Sequence, residues 1–152
     1  MSGFPASPGM AAALEEARAA AARGEVPVGA AILAADGRLL ARAGNRTREL
    51  ADPTAHAEML AVRAACAATG NERLTGATLF VTLEPCAMCA GAVAAARLDR
   101  LVFAAEDPKS GGVLHGARVL DQPQAHHKVE VVAGVAEREA ADLLRSFFTA
   151  RR

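Results

Sequence analysis

Apolar runs along this chain are separated by polar stretches and by turn or stop signals, and these breaks mark its elements. From Gly9 to Ala22 alanines dominate, with Glu15 and Arg18 three apart on one face, which predicts a helix. Pro27 closes that region. Val28 to Ala35 is a short apolar run, Asp36-Gly37 is a hairpin turn signal, and Arg38 to Ala43 reads as the antiparallel return strand. Gly44 to Pro53 is polar and reads as a loop. Thr54 to Thr69 carries a helical pattern that Gly70-Asn71 stops. Ala77 to Leu83 is a strand by its β-branched content, broken by Glu84-Pro85, and Cys86 to Ala96 is helical again. Arg100 to Ala104 is a short strand, Asp107 to Gly116 a Gly-rich loop, and Lys128 to Ala133 another strand. Ala136 to Ala150 closes the chain as an amphipathic helix, with Ala136, Ala140, Leu143, Leu144, Phe147 and Phe148 on one side.

A hairpin followed by strand–helix alternation predicts an α/β fold. The sheet is mixed, of about five strands, with helices on both faces in three α/β/α layers. No repeat, long linker or charged tract divides residues 1–152, so one domain is expected, and a chain of this length can bury a full core. Functional sites in such folds lie at helix N-termini beyond strand ends. Two helix starts here are chemically loaded, one at Thr54 to Glu58 and one at Glu84 to Cys89.

Composition narrows this picture. The apolar fraction is 52%, but 39 residues are Ala, so much of the core is small side chains over backbone. Seventeen Lys and Arg balance 17 Asp and Glu, which excludes a strongly basic nucleic-acid clamp while permitting a local patch. With five Phe and no Trp or Tyr, an aromatic platform for single strands is not expected. The longest uncharged stretches, Met1 to Leu14 and Pro85 to Ala96, fall short of the roughly 18 residues of a membrane span. No basic residue precedes Arg18, so no secretory signal is expected. Three cysteines cannot form a disulfide framework, and two of them at Cys-x-x-Cys spacing point to metal or redox chemistry in a reducing, cytoplasmic setting.

Cys86 and Cys89 stand three apart at a helix start, so both side chains can point one way, and the helix N-terminus favours thiolates. Pro85 suits the first turn because it donates no hydrogen bond. This spacing alone also fits a thioredoxin-type redox site. Cys66, mid-helix among alanines, reads as a small core residue rather than a ligand. His56-Ala57-Glu58 changes the balance. One His and two Cys make three protein ligands and leave a fourth position for water, the pattern of a catalytic zinc site. Glu58 then flanks the open position as general base and afterwards as general acid. His-x-Glu, followed by Pro-Cys-x-x-Cys, is the signature of zinc deaminases.

At these residues the chain resembles the bacterial tRNA-specific adenosine deaminases of the cytidine-deaminase-like superfamily. The likeness extends through Glu25 to Ala30, Asn45-Arg46, Asp52 to Glu58, Val81 to Ala92, Asp107 to Gly111 and Phe147-Phe148, or about residues 10–152. It implies a cytidine-deaminase-like fold and hydrolytic conversion of the wobble adenosine of a tRNA anticodon to inosine, in a homodimer with one zinc ion per chain. By this resemblance His56, Cys86 and Cys89 hold zinc and Glu58 shuttles protons. Asn45 contacts the extruded base, with Val28 and Glu84 among the substrate contacts. Asp107 and Lys109 lie beside the anticodon nucleotides, and Phe147, Arg151 and Arg152 belong to a helix flanking the RNA. The chain departs from the usual family pattern at Gly44, at Gly112 to Gly116 and at His126, all on the substrate side.

Two other readings share these motifs. One is a guanine, cytosine or other small-molecule deaminase on the same scaffold. The other is a non-catalytic RNA-binding subunit with structural zinc, against which the presence of Glu58 argues. Arg38, Arg42, Arg46 and Arg48 run without an intervening acid and suit either RNA contact or a solvated edge strand. His115, His126 and His127 read as loop or strand-start residues rather than ligands.

Overall fold

A computed structural model of the chain describes residues 7–125 and 127–151. The first helix, α1 (Pro8–Ala22), begins with Pro8 in its first turn and with the Ser7 side chain accepting from the Met10 amide. The strands are β1 (Gly29–Leu33), β2 (Leu39–Gly44), β3 (Thr78–Leu83), β4 (Arg100–Ala105) and β5 (Glu130–Ala133). They form one sheet in the order β2-β1-β3-β4-β5. β1 is antiparallel to β2 and β3, whereas β3, β4 and β5 run parallel. The helices α2 (Ala57–Thr69), α3 (Ala87–Ala95) and α4 (Glu137–Ala150) complete the fold.

The expected three layers are present. α2 and α3 cover one face of the sheet, and α1 and α4 cover the other. β4 explains the unbroken apolar run at its centre: Leu101 and Phe103 enter the core under α2 and α3, while Val102 and Ala104 enter the core under α1 and α4. The alanine-rich composition also finds its place here. Ala57, Ala61 and Ala65 recur every four residues along α2 and are fully buried, which lets the helix axis approach the sheet closely. α1 approaches closer still. It lies over Gly29 and Gly44, which pair across β1 and β2, and a Cβ on Gly29 would come within 1.9 Å of the Ala13 carbonyl oxygen.

Several expected boundaries shift for local reasons. The Asp52 carboxylate accepts hydrogen bonds from the Thr54 amide (2.9 Å) and hydroxyl (2.7 Å), making a turn of residues 52–54, so α2 starts at Ala57 rather than Thr54. α3 starts at Ala87 with Cys86 as its cap. Pro85 therefore lies outside the helix, where its carbonyl accepts from the Gly112 amide (2.8 Å). A 3₁₀ turn at Val119–Asp121 interrupts the long segment before β5. On α4 Ala140 and Phe147 are buried and Leu143 is partly so, while Phe148 is half exposed. β2 is an edge strand, as one reading of the arginines expects. Its Arg42 pairs with Glu15 and Glu16 of α1, and Arg46 pairs with Glu49, so these two are not unpaired cations awaiting RNA.

Candidate metal centre and substrate cleft

The two loaded helix starts face each other. α2 and α3 follow the chain segments that leave β2 and β3 at the same end of the sheet, and each begins with an extended cap residue, His56 for α2 and Cys86 for α3. Neither cap side chain bonds its own helix, so both turn into the gap between the helices. Cys89 comes from the first turn of α3 and is fully buried.

His56 Nδ1 lies 3.7 Å from Cys86 Sγ and 3.4 Å from Cys89 Sγ, and the three ligand atoms lie within 4.8 Å of one another. Tetrahedral zinc, with bonds near 2.3 Å to sulfur and 2.0–2.1 Å to nitrogen, would separate its N and S ligands by about 3.6 Å. The donor set therefore fits zinc in both geometry and chemistry. Cys66 is half-buried against the core of α2 and outside this group.

Hydrogen bonding from the Cys89 thiol, then from His56, holds the Cys86 thiol down to about 3, while Cys86 and burial push Cys89 well above the usual thiol range. His56 is raised, chiefly by its hydrogen bond with Cys86. Glu58 is buried in the first turn of α2 beside Cys89, and burial pushes its carboxyl up to about 7. A carboxyl so placed can take and return a proton near neutral pH.

A cleft of about 260 Å³ opens over His56, Glu58 and Cys86. That is just below the ~300–1,000 Å³ of ordinary ligand pockets and leaves room for a single base. Of the residues the sequence nominated, the cleft also gathers Val28, Asn45, Glu84 and Asp107. Asn45 is buried, and its Nδ2 donates to Thr47 Oγ1 (3.4 Å). The Asp107 carboxylate accepts from the amides of Lys109 and Ser110, so it shapes its own turn. Lys109 is exposed on that loop and outside the lining. Phe147 is buried with the Arg151 guanidinium stacked 3.6 Å above its ring, and neither lines the cleft. Arg152 and His126 lie outside the described residues. His115 and His127 are loop residues, as expected. Val26, Thr47, Leu83 and Ser110 also line the cleft. No periodicity marks them; Val26, Leu83 and Ser110 lie within the segments that carry the family resemblance, and only its nearness to Asn45 in sequence could have suggested Thr47.

The family described as MafB19-like deaminase matches residues 7–152. The tRNA-specific adenosine deaminase of Agrobacterium fabrum (strain C58) is 56% identical over 143 residues, covering 94% of this chain and 93% of that protein. The chain belongs to the tRNA-specific adenosine deaminase family. A solved structure from work on A-to-I editing by tRNA:A34 deaminases at the wobble position superimposes on this family member with a TM-score of 0.87. It is 55% identical and covers 90% of this chain and 98% of its own. A guanine deaminase from Nitrosomonas europaea shares the fold, with a TM-score of 0.81, but only 27% of the sequence, covering 98% of this chain and 88% of its own. The fold is thus common to deaminases of different substrates, and sequence identity separates them.

Proposed function

We propose that this deaminase converts the wobble adenosine of a tRNA anticodon to inosine, adding water and releasing ammonia. The observation that carries this reading is the meeting, in one base-sized cleft, of a His-Cys-Cys donor set with a buried glutamate of raised pKa. The high identity to tRNA deaminases supports the choice of substrate.

His56, Cys86 and Cys89 hold one zinc ion per chain in this account. When bound, zinc supplies the Lewis acidity that lets a water molecule attack near pH 7. Glu58 takes a proton from the attacking water and delivers it to N1 of the purine as C6 becomes tetrahedral. It then passes a proton to the exocyclic nitrogen, which leaves as ammonia. Asn45 and Val28 orient the base, the Asn45 carboxamide being held by Thr47. Asp107 and Lys109 meet the neighbouring nucleotides, and Arg151 extends the contact at the end of α4. A base in an anticodon loop is easier to extrude than one in a duplex, which suits a cleft with room for a single base. The partner is the anticodon stem-loop, the assembly a homodimer, and the compartment the reducing cytoplasm, where thiolate ligands persist. Among the described residues no helix is long and apolar enough to cross a membrane.

Ammonia release from an anticodon stem-loop, compared with release from free guanine, tests the substrate. Release from the stem-loop alone is expected. Turnover of guanine with none of the stem-loop would replace this reading with that of a free-base deaminase.

A further inference from the structure

Among the described residues three carboxylates are buried, Glu25, Glu58 and Glu84, and the chemistry uses only Glu58. Glu84 follows directly on β3 and forms part of the cleft wall, with no exposed side-chain surface. Among the described residues no Lys or Arg pairs with it. All five of its side-chain hydrogen bonds come instead from one segment, residues 107–115. The Asp107 amide (2.9 Å) and His115 Nδ1 (2.8 Å) meet Oε1. The amides of Val113 (3.1 Å), Leu114 (2.8 Å) and His115 (3.1 Å) converge on Oε2. A carboxylate offers about four lone-pair positions, so this one has none left for a substrate. Although it lies in the cleft wall, Glu84 is not a substrate contact.

The segment it holds is the one that carries Asp107, Lys109 and Ser110 to the mouth of the cleft. Its glycines are fitted to the anchor. A Cβ on Gly111 would lie 2.4 Å from Glu84 Oε2, and a Cβ on Gly112 would lie 2.5 Å from the Ala87 amide nitrogen, so the loop presses against Glu84 and the start of α3. The Gly112 amide also donates to the Pro85 carbonyl (2.8 Å). His115 closes the outer side, its Nε2 3.6 Å from Glu106 Oε1. The anchor stands two residues before Cys86, so loop and donor set are fastened to the same few residues of chain.

We propose that Glu84, closed off by His115, is a positioning residue: it fixes the 107–115 loop at the cleft mouth and thereby sets how tightly RNA is held, without touching the reacting base. This rests on reading the cleft as the site of an RNA adenosine. The zinc-loaded enzyme tests it through Glu84→Gln and His115→Ala, each followed by hydrogen exchange of residues 107–116, zinc content and steady-state deamination of an anticodon stem-loop. For Glu84→Gln we expect one zinc per chain, amides 113–115 exchanging at least about tenfold faster, and KM raised about tenfold with kcat changed less than about threefold, because a binding surface and not a reacting group is disturbed. His115→Ala, which removes one bond of five, should move exchange and KM the same way, by about two- to fivefold. Unchanged exchange and KM in Glu84→Gln overturn the proposal. So does a fall in kcat at constant KM and constant exchange, which would put Glu84 in the chemistry. If Glu84→Gln does not fold, His115→Ala decides alone, and unchanged exchange and KM there overturn the proposal. A wild-type enzyme that makes no inosine in the stem-loop refutes the RNA reading instead, and the exchange comparison still judges the anchor.

Discussion

Glu58 illustrates how one side chain couples chemistry to stability. Burial raises its carboxyl from the ordinary carboxylate value to about 7. In the metal-free protein the folded state therefore binds this proton more tightly than the unfolded chain does. The stabilising contribution is complete at acid pH and is lost as pH rises from about 4.5 through 7. Replacing the group by Gln should remove that dependence and stabilise the metal-free protein above pH 7 by on the order of 3 kcal/mol, read from urea midpoints across pH. The same Glu58→Gln substitution should lower turnover of the zinc-loaded enzyme by about 10²–10⁴-fold with zinc content unchanged, since a proton shuttle is lost and no ligand is. Cys86→Ala should behave differently. With only His56 and Cys89 left from the donor set, it should lose both metal and activity, as measured by metal analysis of the purified protein. The signature residues could be read from the sequence because metal chemistry demands fixed residue types at fixed spacing. The anchoring of Glu84 could not be read, because it depends on amides 23 to 31 residues away that only the fold brings to it.

At the scale of elements, the site depends on two helices beginning opposite each other at one end of the sheet, and that arrangement depends on close helix–sheet contact. Small residues permit it: Ala57, Ala61 and Ala65 under α2, and Gly29 with Gly44 under α1. Gly29→Ala should destabilise the protein by about 1–3 kcal/mol, seen as a lower urea midpoint, because its Cβ meets backbone of α1 that can yield only by moving the helix. The element order was legible because turn and stop signals separate the apolar runs: Asp36-Gly37, Gly70-Asn71 and Glu84-Pro85 each fall between two elements, and α4 alone carries a strongly amphipathic pattern. Boundaries were less so. The Asp52 turn delays α2 by local hydrogen bonding, and Cys86, with extended backbone, acts as a cap rather than a helical residue; apolar periodicity encodes neither. The adjacent Phe147 and Phe148 differ in burial because the stripe on α4 is narrower than the apolar side suggested.

The whole molecule carries no net charge, and two of the four arginines on and beside the edge strand, Arg42 and Arg46, are matched by acids on α1 and the following loop. Such a protein has little long-range attraction for RNA and must depend on a shaped cleft with a few cations at its rim. Affinity for the stem-loop should therefore fall only shallowly with salt. Lys109→Ala should reduce the slope of log affinity against log salt by about one, whereas Arg42→Ala should leave it unchanged. Deamination of an anticodon adenosine in this cleft, with Glu58 moving the proton and His56, Cys86 and Cys89 holding zinc, leaves inosine in the RNA. Its most direct test is inosine sequencing of bulk tRNA incubated with the zinc-loaded protein and, in parallel, with Glu58→Gln. Inosine confined to the wobble position, and absent with the variant, is expected. No inosine with the wild-type protein, or undiminished inosine with Glu58→Gln, would contradict it.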